Sequence, residues 1–238
     1  MKERPIIFNA DMVRAVLDGR KTQTRRIMKN QPVPSKTREG DYWFRCDKAR
    51  SMIHVSDLKP GASPNLPDAH EYFSMCCPFG AVGDRLWVRE AWQCTSFETN
   101  EYGHVEGVDY MREIPKQKPQ SPAWGLSYEA NGFDTGDAEE RGFPWRPSIH
   151  MPRWASRITL EITGVRVERL WDISEDDAKA EGCTFEALRF KPGTREVEEM
   201  GHTAVYQFGG LWQSLYGDDS WQANPWVWVI EFKRVEVE

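Results

Sequence analysis

Apolar and polar positions alternate and cluster in a way that divides the chain into short strands and a few amphipathic helices. After a strand predicted at Ile6 to Phe8, Met12, Val13, Val16 and Leu17 recur at helical spacing, with Asn9 or Asp11 placed to cap the start and Gly19 to end it. The segment Gln31 to Pro78 is rich in Pro, Gly, Ser and Asp and reads as irregular connection with short strands at Tyr42 to Cys46 and Ser51 to Val55. Leu86 and Val88 alternate with Arg85, Trp87 and Arg89, which predicts a strand after the Gly83-Asp84 turn. Another strand is expected at Leu126 to Ala130, followed by a Gly/Asp/Glu loop from Asn131 to Gly142. Beyond the proline-punctuated loop Trp145 to Trp154, a long strand runs from Ser156 to Arg169, with Ile158, Leu160 and Ile162 on one face. Ser174 and Asp177 have the spacing of a capping box for a helix leading to Glu181. A last helix is predicted over Thr203 to Tyr216, with Val205, Phe208, Trp212 and Leu215 inward and Gly217 at its end.

Composition narrows the class. A chain of 238 residues can bury one substantial core, so a single domain over 1–238 is expected. No run of about 18 apolar residues occurs, and Met1 to Phe8 is too short and mixed for a secretory signal, which predicts a cytoplasmic protein. Five cysteines without a C-x-x-C pair argue for reduced thiols rather than a disulfide framework. Five dispersed histidines, His54, His70, His104, His150 and His202, lack the spacing of a metal site, so neither a metal nor another cofactor is expected. Walker, dinucleotide and G-x-S-x-G patterns are also missing.

Net charge is −6, but its distribution is uneven: residues 1–38 hold ten Lys or Arg against three Asp or Glu. A single basic patch of this kind suits a nucleoside, a short single strand or one flipped base better than a long duplex, whose affinity needs many phosphate contacts. The patch centres on Gly19-Arg20-Lys21-Thr22-Gln23-Thr24-Arg25-Arg26. Like-charge crowding favours a neutral Lys21, which could then serve as base toward Thr24 as nucleophile. The two share a face if the chain is helical there and point apart if it is extended. Arg25 and Arg26 are candidates for holding a phosphate or an oxyanion. Arg153, Trp154, Ser156 and Arg157 form a second polar and aromatic cluster with the chemistry to line a pocket, Trp154 as a stacking surface for a base.

The pattern Gly-Arg-Lys-Thr-x-Thr-x-Arg after a helix resembles the signature of the ASCH domain, a PUA-like β-barrel. Ile173 to Gly182 resembles that family's short acidic helix, and Trp226 to Phe232 its closing strand. The resemblance implies an α+β fold: a PUA-like (ASCH) barrel with peripheral helices and an irregular insertion at approximately 93–150, in the manner of larger members encoded by phages and prophages. Small bacterial members remove the acyl group from N4-acetylcytidine with a lysine, a threonine and a glutamate, which map onto Lys21, Thr24 and Glu181. Arg26 occupies the signature arginine. The implied function is a metal-independent amidohydrolase acting on N4-acylated cytosine nucleosides or a related modified base. In it Lys21 activates Thr24, and Glu181 protonates the leaving nitrogen. The alternative is a non-catalytic RNA, DNA or modified-base binding module, since related barrels include such readers.

Overall fold

A computed structural model describes residues 1–58, 76–102, 104–120, 124–132, 138–184, 189–190, 197–199 and 203–235. Part of the Gln31 to Pro78 connection, part of the Asn131 to Gly142 loop, His70 and His202 lie outside the described residues. The fold is mixed α+β, mostly sheet with few helices. In chain order the strands are β1 (Glu3–Ile7), β2 (Gln23–Ile27), β3 (Val33–Pro34), β4 (Tyr42–Cys46), β5 (Ser51–His54), β6 (Arg85–Arg89), β7 (Trp92–Thr99), β8 (Val105–Tyr110), β9 (Trp124–Tyr128), β10 (Thr159–Arg169), β11 (Arg189–Phe190), β12 (Val197–Glu199) and β13 (Trp226–Val235). The helices are α1 (Ala10–Leu17), α2 (Ala138–Arg141), α3 (Glu175–Ala180) and α4 (Ala204–Tyr216). Among the described residues no helix is long and apolar enough to cross a membrane.

The chain divides into two compact units. Met1–Lys2, Asp18–Arg85 and Glu161–Lys233 form the first, Glu3–Leu17, Leu86–Leu160 and Arg234–Glu238 the second. In the first unit β13 lies between most of β10 and β2, and β3, β4 and β5 make a small antiparallel sheet. The β13–β2 register sets Arg25 opposite Val229 and Thr24 opposite Ile230. Because cross-strand partners share a face, this register decides which side chains meet α3 and α4. Val227 and Val229 form a core with Leu170, Ile173, Ala178, Ala204, Phe208 and Trp212, so that face of β13 is the one the two helices cover. Within α4 the buried positions are Ala204, Phe208, Gly209 and Trp212. Leu215, expected inward, is exposed, because the helix nears its end at Gly217 beyond the covered face.

In the second unit β7 lies between β8 and β9, and the insertion expected at 93–150 supplies most of this sheet. β8 is polar enough to have escaped the hydrophobic pattern. Trp92, Cys94, Tyr128, Met151 and Ala155 form the core beside it. The α1 cap forms as the sequence predicts: the Met12 amide donates to Asn9 Oδ1 at 2.8 Å.

Helix α3 is only six residues long, too short to persist without its ends secured. Its capping box closes in both directions, with the Asp177 amide on Ser174 Oγ at 3.0 Å and the Ser174 amide on the Asp177 carboxylate at 3.3 Å. Ser174→Ala is expected to lower stability by about 1 kcal/mol. Urea denaturation measures it, and an unchanged midpoint would show that the cap contributes nothing to the native state.

Candidate functional site

Two backbone bonds place the basic segment. The Thr22 amide donates to Ala180 O at 2.8 Å, and the Phe232 amide donates to Thr22 O at 2.8 Å, so the entry to β2 is fixed between the end of α3 and β13. Lys21 and Glu181 then face each other as an antiparallel bridge. Lys21 Nζ lies 2.7 Å from Glu181 Oε2 and 2.9 Å from the Glu181 carbonyl oxygen, with both side chains withdrawn from solvent at 0% and 2% exposure.

Arg25 completes the cluster. Its Nη1 is 3.3 Å from Glu181 Oε1, and its Nη2 is 3.1 Å from Glu168 and 3.3 Å from Asp177. Gln23 donates to the Asp177 carbonyl at 2.9 Å. Arg166 pairs with Glu168, Glu231 and Asp177, the last at 2.8 Å. Each buried ion thus meets opposite charge or a hydrogen-bond partner, the condition under which charges can be taken from water at all. One atom departs from this: Arg25 Nε is buried with no hydrogen-bond partner.

Burial is the largest influence on Lys21 and holds its ammonium below the ordinary lysine value of 10.5; the Glu181 charge opposes this and the Arg26 charge adds to it. Asp177 moves down from 3.8. Its burial favours the neutral acid, but the Ser174 hydrogen bond and the Arg25 charge outweigh that.

Three of the candidate residues, Lys21, Arg25 and Glu181, are therefore in contact. Thr24 and Arg26 are placed differently. Segment 23–27 is extended, and Gln23 and Arg25 reach toward α3, so alternation directs Thr24 and Arg26 to the opposite face of β2, where they oppose Ile230 and Trp228. Thr24 is buried there, and Arg26 is half-buried.

The second candidate cluster lies in the second unit, each member engaged there. Arg153 pairs with Glu3 at 3.1 Å, Trp154 donates to Pro115 O at 3.2 Å, and Ser156 donates to Val88 O at 2.8 Å. Arg157 binds both oxygens of buried Glu90 at 2.9 and 2.8 Å and stacks over Tyr128.

Sequence reading did not single out Arg166, Glu168, Tyr42 and Trp226, which line a cavity of about 960 Å³ in the first unit together with Arg38, Asp41, Ser56 and others. Tyr42 and Trp226 lie 5.1 Å apart with tilted rings, and the Trp226 indole N–H is buried without a hydrogen-bond partner. Glu168 joins this wall to the buried cluster, since it is the carboxylate that Arg25 holds. The signal for these residues was only the alternation of Arg166 and Glu168 in β10.

Glu181→Gln leaves Lys21 and Arg25 facing each other without their shared anion and is expected to destabilise the protein by about 3–5 kcal/mol. The double variant Lys21→Met/Glu181→Leu should lose less than the sum of its single changes, read by chemical denaturation; strict additivity would contradict the pairing. A carboxyl held below its ordinary value stabilises the fold fully above that value, and the contribution is lost as pH falls through the lowered one. Asp177→Asn should therefore flatten the loss of stability from about pH 3.8 downward. Parallel acid profiles for the two proteins would remove Asp177 from that loss.

Comparison of the chain with protein-family models, with curated proteins and with solved structures finds no match.

Proposed function

We propose that the chain is an ASCH-type protein with a PUA-like barrel that hydrolyses N4-acylated cytosine nucleosides or a related modified base without a metal. The observation that carries this reading is the 2.7 Å contact between Lys21 Nζ and Glu181 Oε2 at a buried site. Such a pair shares a proton between a lysine biased toward its neutral form and a carboxylate, which is what amide hydrolysis needs at its two ends. One end must accept a proton from the attacking oxygen. The other must supply one to the leaving amine.

In this reading the acyl carbonyl approaches from the face that Lys21 and Arg25 share. Lys21 takes a proton from water, the oxygen adds to the carbonyl carbon, and Arg25 stabilises the oxyanion through the Nε–H that has no partner in the free protein. The proton that Lys21 has taken passes through the Glu181 carboxylate to the nitrogen as the C–N bond breaks, and the products are a carboxylic acid and the free cytosine amine. Water replaces Thr24 as nucleophile because Thr24 leaves β2 on the other face. The aromatic wall of Tyr42 and Trp226 supplies a surface for the base. Entry requires a local opening, since the pair is closed to solvent.

A reader of polynucleotides is the weaker reading. Lys21 and Arg25 are bound to carboxylates rather than presented to phosphates, and the cavity lining carries four acidic side chains, Glu39, Asp41, Glu168 and Asp172, against two arginines.

Assay of the purified protein with N4-acetylcytidine tests the proposal. Turnover is expected to survive chelation, to rise with pH as Lys21 loses its proton below 10.5, and to fall by at least about a hundredfold in Lys21→Arg. Thr24→Ala should retain turnover if its fold is intact. No hydrolysis of this or related acylated bases by the native protein would remove the enzyme reading, and loss of turnover confined to Thr24→Ala would restore the threonine as nucleophile.

A further inference from the structure

A separate constellation sits on the small β3–β4–β5 sheet of the first unit. Ser35 follows β3, His54 ends β5, and Asp57 lies in the short turn after it. Ser35 Oγ is 2.9 Å from His54 Nε2, and His54 Nδ1 is 3.8 Å from Asp57 Oδ2. The hydrogen bonds at Ser35 fix the proton order. Its hydroxyl has two lone pairs and one hydrogen, and the Thr37 and Arg38 amides both donate to that oxygen at 3.1 Å. With both lone pairs taken, the hydroxyl hydrogen goes to an acceptor, and His54 Nε2 is the nearest. His54 then carries its own proton on Nδ1, the nitrogen that faces Asp57. The remaining Asp57 oxygen is held by Arg38 Nη1 at 2.7 Å, and Trp43 lies against the imidazole with ring centres 5.4 Å apart, so base and carboxylate are both restrained.

We propose that Ser35, His54 and Asp57 form a second, acyl-transfer site, with Ser35 as nucleophile, His54 as base and Asp57 as the group that orients it, acting on carboxylic esters. The inference goes beyond the amidohydrolase reading and shares no catalytic residue with it; Arg38, which lines the cavity of that reading, here holds Asp57. Ser35 Oγ adds to the ester carbonyl while its proton passes to His54 Nε2. The lone pair used in the attack is one that an amide N–H occupies in the free protein; released, that N–H is available to the carbonyl oxygen as it becomes anionic. His54 returns the proton to the alkoxide as the C–O bond breaks. Water, activated by the same nitrogen, then adds to the acyl-serine and releases the acid and Ser35. The site is open: Ser35 is half-buried and Thr37 and Arg38 are exposed. The 3.8 Å separation at Asp57 is looser than a hydrogen bond, as is common for such groups before substrate is bound.

Thr37 Oγ1 is the competitor, 3.2 Å from the same His54 nitrogen and 3.3 Å from Ser35 Oγ. The test is therefore site-resolved. The full chain is treated with a fluorophosphonate, which captures a base-activated serine, and the adduct is mapped by mass spectrometry. Phosphonylation of Ser35, competed by p-nitrophenyl acetate, is the expected result. His54→Gln should slow labelling by at least about a hundredfold, as for loss of a general base, and Asp57→Asn by at least about tenfold. Labelling of the native protein needs no variant to fold, so an unmodified Ser35 after prolonged exposure overturns the proposal outright. An adduct on Thr37 instead, or labelling of Ser35 at an equal rate in folded His54→Gln, overturns it as well.

Discussion

Placing a lysine and a glutamate together out of water is the constraint around which the first unit is organised. The free energy of moving either ion alone into a protein interior is unfavourable by several kcal/mol, so each must arrive with its partner. Lys21 comes from the entry to β2 and Glu181 from the end of α3, and the two segments are also joined by the Thr22 to Ala180 backbone bond. Helix α3 must therefore stop at the right residue, and Gly182, at a φ of 97° just past Glu181, turns the chain out of the helix there. Arg25, two turns of the pleat farther along β2, extends the same demand to Glu168 on β10 and Asp177 on α3. Four elements, β2, α3, β10 and β13, are held in register by charges that are costly when separated.

That arrangement changes the meaning of the basic N-terminal segment. As sequence it is a cationic patch that invites a phosphate. In the fold, Lys21 and Arg25 turn inward onto acidic side chains, and the Arg166 guanidinium is likewise shared among Glu168, Asp177 and Glu231. Lys21 and Arg25 are thereby withdrawn from solvent and held by carboxylates. Burial supplies the bias toward a neutral lysine more strongly than the neighbouring Arg26 charge does.

Much of this was legible in the residues. The α1 spacing, the Ser174/Asp177 cap and the β10 alternation each follow a short local rule, and each appears in place. The closeness of Lys21 and Glu181 was legible through family resemblance alone, because 160 residues separate them and no local pattern links them. Whether Thr24 shares a face with Lys21 depended on the backbone conformation after Gly19, and the extended path was settled by pairing with β13, a contact with a distant strand. At Arg153 to Arg157 the polar groups are engaged by Glu3, Pro115, Val88 and Glu90, partners distant in sequence that no local pattern announces. The Ser35, His54 and Asp57 arrangement escaped notice because its geometry arises from a turn and a strand end that only the folded small sheet brings together.

The most direct measurement of the central claim is the protonation of Lys21 itself. Selective ¹⁵N labelling of lysine, with Lys21→Arg to assign its signal, allows the Nζ resonance to be followed through a pH titration of the folded protein. A midpoint displaced below 10.5, accompanied by slow solvent exchange, is the result that a desolvated lysine beside Glu181 predicts. A midpoint at or above that of the other lysines, with fast exchange, would place Lys21 in water and contradict the account.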